Sequence, residues 1–77
     1  MAQLPGSDWL ISQSDGVVHL FHRYTEEEIV SFNPGDGDAV AKAQKTIHDA
    51  PQLTEEQKCF AHFWSGYFYA HSGAEYI

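Results

Sequence analysis

Cys59 and His62 stand three residues apart, a spacing that makes them neighbours on one face of a helix. A thiol beside an imidazole is the minimal pair for nucleophilic catalysis, the ring taking the proton as sulfur attacks. It is the only such constellation the sequence offers. Thr54 reads as the cap of the helix, which sets Cys59 beyond the first turn, where a helix terminus would lower a thiol pKa. A cysteine on an apolar helix face is expected to be a small buried hydrophobe. A thiol or metal enzyme built on Cys59 and His62 is therefore a minor alternative, and no catalytic residue is assigned.

Five histidines invite a metal site, and spacing rejects most combinations. His62 and His71 are nine residues apart and face opposite sides of a helix. His19 and His22 are an odd number apart on one strand and face opposite sides of a sheet. Cys59 and His62 supply two ligands where zinc needs three or four, and His48 is the one residue that could add a third. No metal and no cofactor is expected. The Gly-rich stretch Pro34-Gly35-Asp36-Gly37 lacks the lysine of a phosphate loop and carries repelling carboxylates.

The carboxylates are the other chemical resource. Asp15 belongs to a turn, Asp38 reads as a helix cap, and Glu55 and Glu56 suit the first turn of a helix, where the macrodipole favours them. Glu26, Glu27 and Glu28 have no such local role, and with Asp36 they form a candidate acidic patch. Carboxylates at phosphate-like spacing would make an acidic nucleic-acid mimic that blocks a basic site on a DNA-binding protein.

These groups must be carried by a single small domain spanning residues 1–77, with an ordered core of about residues 8–72. A chain of this length buries only about 60% of the surface its unfolded form exposes. One cysteine excludes an internal disulfide and points to a reducing compartment. No signal segment or apolar run of membrane length is visible, so a cytoplasmic setting is expected. Eleven Asp and Glu against four Lys and Arg give a net charge of −7, which argues against direct binding to nucleic acid or anionic membranes.

Asp15-Gly16 between two apolar runs predicts a hairpin with a two-residue turn. That turn pairs Trp9 with His22, Ile11 with Leu20 and Gln13 with Val18, and gathers Trp9, Ile11, Val18 and Leu20 on the core face. Thr25 with Glu28 could open a helix, but Ile29-Val30-Ser31-Phe32 favours a third strand over Glu28–Phe32, ended by Asn33-Pro34-Gly35. A helix follows from an Asp38 cap to about Asp49, with Ala39, Val40, Ala43, Ile47 and Ala50 on one stripe. A second runs from Thr54, with Gln57 completing a capping box, to about His71, with Gly73 as its stop. Met1–Ser7 and Ser72–Ile77 read as loose ends. The fold class is α+β: a three-stranded antiparallel meander followed by two helices, β-β-β-α-α.

The second helix is the most informative element. Ala70, Phe63, Tyr67, Phe60 and Trp64 span roughly 120° of its circumference, and Cys59 and Phe68 widen the band to about 180°. A helix packed on one core needs a stripe of about 100° or more, so either the sheet and the first helix bury the whole band, with tyrosine hydroxyls reaching solvent, or part of it is left for a partner. Trp64 and Phe68, at the edge furthest from Ala70, are the first candidates. Phe60 and Tyr69, the latter outside the band, complete the candidate partner-binding set. Gly66 in mid-helix predicts close approach of another backbone.

A three-stranded meander ending in Ser31-Phe32-Asn33-Pro34 and followed by an alanine-rich helix resembles the architecture of AP2-type DNA-binding modules over about residues 8–49, without their basic sheet. The segments Trp9-Leu10-Ile11, His19-Leu20-Phe21 and Phe60-Ala61-His62-Phe63-Trp64-Ser65-Gly66-Tyr67-Phe68 are similar to small uncharacterised accessory proteins of actinobacterial phages. That resemblance implies a phage-encoded modulator of a host or phage protein, acting in the host cytoplasm. The residues and the resemblance together predict a non-enzymatic protein-binding domain that self-associates as a homodimer through its aromatic helix.

Overall fold

The computed structural model describes residues 2–71; the expectations for Met1, for Ser72–Ile77 and for Gly73 as a helix stop lie outside them. Strands β1 (Ala2–Gln3), β2 (Trp9–Ser14), β3 (Val17–His22) and β4 (Glu28–Phe32) precede helices α1 (Gly37–His48) and α2 (Glu55–Ala70). The strands form one antiparallel sheet in the order β1-β2-β3-β4. The class is α+β, with four strands rather than three.

The β2–β3 hairpin has the expected register, Trp9 opposite His22 through Ser14 opposite Val17. Asp15 and Gly16 both adopt positive φ, 52° and 80°, as a tight turn matched to strand twist requires. Between β3 and β4 the pairing slips by one residue, from Leu20 opposite Val30 to Phe21 opposite Glu28. Ile29 is the extra residue of this bulge. It lets Ile29 and Val30, adjacent in sequence, both pack on the core, and it turns Glu28 to the outer face of the sheet.

The fourth strand corrects the reading of the N-terminus as loose, and with it the start of the ordered core. Ala2 and Gln3 pair with Ile11 and Leu10, and the Leu4 amide donates to the Trp9 carbonyl at 2.9 Å. Leu4 is fully buried. The segment is too short to show strand periodicity, and only the side chain of Leu4 marks it as core. Gln57 of α2 reinforces it from the other side, its amide donating to the Pro5 carbonyl at 3.0 Å.

Asp36, not Asp38, caps α1: its carboxylate accepts from the amides of Asp38 and Ala39 at 3.0 and 3.4 Å. Asn33 closes the preceding turn, its side-chain oxygen accepting from the Gly35 amide at 2.9 Å, which brings the chain into helix two residues earlier than expected. The α1 stripe is as expected, with Val40, Ala43, Ile47 and Ala50 buried and Ala39 partly so. α2 opens on the capping box of Thr54 and Gln57 and closes at His71. One cluster joins Leu4, Trp9, Ile11, Val18, Leu20 and Phe32 to the helix residues Val40, Ala43, Ile47 and Ala61.

Candidate functional site: the outer face of the aromatic helix

Helix α2 meets the rest of the molecule through Gln57, Ala61 and Ser65, buried residues repeating every four positions. Small side chains at Ala61 and Ser65 suit close approach to the alanine-lined face of α1. The Gln44 amide donates across the seam to the Ser65 hydroxyl at 3.1 Å, and that hydroxyl donates to the His62 carbonyl at 2.7 Å. Phe60, Trp64 and Phe68 flank this row and are partly buried against the core.

Of the candidate contact residues, Phe60, Trp64 and Phe68 are partly buried and close one side of the core, and Tyr69 is exposed. The rings most exposed on α2 are Phe63 at 65%, Tyr67 at 43% and Tyr69 at 41%. Aromatic side chains placed the centre of the band about 100° away from its true position, because the contact runs through an alanine, a serine and a glutamine. The discoverable signal was the Gln57-Ala61-Ser65 row, small or polar at the spacing of one helix face.

Trp64 organises the exposed rings. Its ring centroid lies 5.9 Å from that of Phe63, 4.9 Å from Tyr67, 5.8 Å from Phe68 and 6.2 Å from Phe60. The contacts to Phe63 and Tyr67 are edge-on, the geometry ring quadrupoles favour. Phe63 and Tyr67 are thus held by a neighbour anchored in the core, which limits the entropy lost when a partner covers them. Tyr69 lies on the opposite flank, where its hydroxyl sits 3.5 Å from the position a side chain on Gly37 would take. Gly66 faces outward, and apart from its chain neighbours and the adjoining helix backbone no described atom lies within 4 Å of where its Cβ would stand. The expected backbone approach to Gly66 does not occur within the described residues.

Cys59 also lies outside and is exposed, which corrects its expected burial. It shares a cavity of about 220 Å³ with Ile47 and His48 of α1 and Glu55, Lys58 and His62 of α2. His48 does therefore reach the same recess as Cys59 and His62. Among the described residues no three His, Cys, Asp or Glu side chains are grouped so as to hold a metal ion.

The four candidate acidic residues are not gathered at one end. Glu28 opens β4, whereas Asp36 lies beyond its far end, so the length of the strand separates them. Both have local partners: Asp36 caps α1, and Glu28 Oε1 lies 3.0 Å from His19 Nδ1 on the outer face of the sheet. That hydrogen bond holds the Glu28 carboxyl below the ordinary glutamate range. Glu26 and Glu27 remain exposed in the β3–β4 loop.

No family model, curated protein or solved structure matches this chain. Among the described residues no helix is long and apolar enough to cross a membrane.

Proposed function

We propose that this chain is a small non-enzymatic protein-binding domain whose contact surface is the outer face of α2. The exposed Phe63 beside the half-buried Trp64 carries this reading. Aromatic side chains are enriched at the cores of interfaces, and a ring held by its neighbours loses less freedom when a partner covers it. From Cys59 to Ala70 the helix also has no Asp, Glu, Lys or Arg, a depletion typical of interface centres. The resemblance to phage accessory proteins adds a setting, in which the domain modulates a host or phage protein in the host cytoplasm.

The acidic-mimic alternative is weaker, because two of its four carboxylates are engaged within the fold. The thiol alternative has a recess of its own, but the Cys59 side chain has no buried base beside it: His62 is exposed and His48 is exposed.

The test is site-specific photo-cross-linking in cells, with the photoreactive residue at position 63 or, as a control, at the exposed Ala41 on α1. We expect a discrete cross-linked polypeptide from position 63 and none from position 41. Equal labelling from both, or none from 63, would remove this surface from the reading.

A further inference from the structure

We propose that the outer face of α2 docks on a second copy of this chain, the two helices antiparallel, with Phe63 of each seated over Gly66 of the other. This rests on the reading of that face as a contact surface and names its occupant.

Cys59, Phe63, Gly66 and Ala70 follow one another at four-three-four spacing, so they form a single seam along the helix. The seam lies opposite the buried Gln57-Ala61-Ser65 row, and Cys59, Phe63 and Ala70 are exposed on it. A large exposed ring and a glycine three residues away make the seam complementary to itself under a twofold axis. Gly66 costs the helix about 1 kcal/mol relative to alanine. No packing within the described residues explains that cost, since apart from its chain neighbours and the adjoining helix backbone no described atom comes within 4 Å of its missing Cβ. A partner's Phe63 in that space does explain it.

Charge restricts the face and the direction by which two copies can meet. Each carries net −7, so they approach best through a stretch without carboxylates, and Cys59–Ala70 is one. The charged residues of α2 are Glu55, Glu56 and Lys58, all before the seam begins. A parallel pair would set Glu55 and Glu56 beside their counterparts, whereas an antiparallel pair sends them to opposite ends. Centring the axis between Phe63 and Gly66 places Cys59 against Ala70 of the other copy. The seam is only about 16 Å long, so the dimer belongs to the small, weak class of interfaces.

The experiment uses the full chain. Sedimentation equilibrium from about 10 µM to about 1 mM should show a monomer–dimer equilibrium, a range suited to a weak interface. Phe63→Glu and Gly66→Leu should each raise the dissociation constant by about tenfold or more. Circular dichroism should stay at the parent spectrum, because neither side chain belongs to the core cluster.

Ala70→Cys reads the register directly. Positions 59 and 70 on one helix are about 16 Å apart, too far for a disulfide within one chain. Mild oxidation should therefore link Cys59 of one copy to the introduced cysteine of the other, identified by peptide mass.

A strict monomer at the top concentration overturns the proposal. So do bridges confined to 59–59 or 70–70 pairs, or a dimer indifferent to both seam substitutions. A monomer whose position-63 cross-linker still captures another polypeptide would overturn self-docking alone. A monomer that captures nothing would overturn the protein-binding reading as well.

Discussion

The Gln44 amide and the Ser65 hydroxyl meet at 3.1 Å across the seam between α1 and α2, with Ser65 fully buried. Ser65 also donates to the carbonyl of His62, so one hydroxyl joins two helices and serves its own backbone. Its size matters as much as its bonds, because the helices approach here through Ala43, Ala61 and Ser65. We expect Ser65→Ala to destabilise the domain by about 1 kcal/mol, the Gln44 amide losing its partner. Ser65→Leu should cost more, roughly 1–3 kcal/mol or above, by wedging the helices apart. Urea denaturation of the two variants gives the order, and equal losses would mean that packing is not what limits residue size at this site.

Leu4 supplies the second expectation. The N-terminal segment adds a strand to the sheet and buries Leu4 completely between β2 and the helices' side of the core. Leu4→Ala should destabilise by about 2–5 kcal/mol, as truncation of a buried leucine does. For a domain of this size each 1 kcal/mol lowers Tm by about 4–8 °C, so thermal melting detects it readily. A shift of under 2 °C would return this segment to the status of a dispensable end.

The sheet was legible where chemistry is local. Asp15-Gly16 fixes the hairpin turn, that turn fixes the register, and the register fixes which of Trp9, Ile11, Val18 and Leu20 face inward. The capping box of Thr54 and Gln57 was equally local. What stayed hidden depends on tertiary partners. Ala2 and Gln3 form a strand only because β2 offers an open edge. The orientation of α2 follows from the depth of the α1 face, which Ala43 sets, rather than from the number of aromatic rings on α2. Aromatic content identified the helix that carries the candidate site, but burial alone distinguishes Trp64 from Phe63.

The His19–Glu28 pair should leave a mark on pH dependence. The hydrogen bond from His19 is the main reason the Glu28 carboxyl titrates below its ordinary value. A depressed carboxylate stabilises the fold above the unfolded pKa, and that contribution is lost as pH falls through the folded one. The loss therefore falls on the acid side of about pH 4.3, the ordinary glutamate value. Both side chains are more than a third exposed, so solvent screening keeps the effect small. In a carboxyl titration followed by NMR, His19→Gln should move Glu28 upward from its position in the parent protein. Coincident Glu28 titrations in the parent and in His19→Gln would show that the pair has no electrostatic consequence.

Glu26 tests both strain and function. It adopts φ 62°, a left-handed conformation that side chains with a Cβ rarely take. The loop holds it there through its amide, which donates to the His22 carbonyl at 3.0 Å, while the His22 amide donates to Glu27 at 2.8 Å. The His22 ring adds acceptance from the amides of Tyr24 and Thr25 at 3.3 and 3.2 Å. Glycine removes the steric penalty of about 1–2 kcal/mol but gives the unfolded chain more freedom. We expect Glu26→Gly to leave stability unchanged or raised by up to about 1 kcal/mol. Glu26→Val should lower it, because a branched Cβ is least tolerated at positive φ. Both variants remove the same carboxylate, so their binding behaviour isolates charge from fold. If α2 is the contact surface, cross-linking from position 63 persists in both, at low and high salt alike. If the acidic loop is the contact surface, both variants lose binding equally, whatever their stability, and the loss is steeper at low ionic strength.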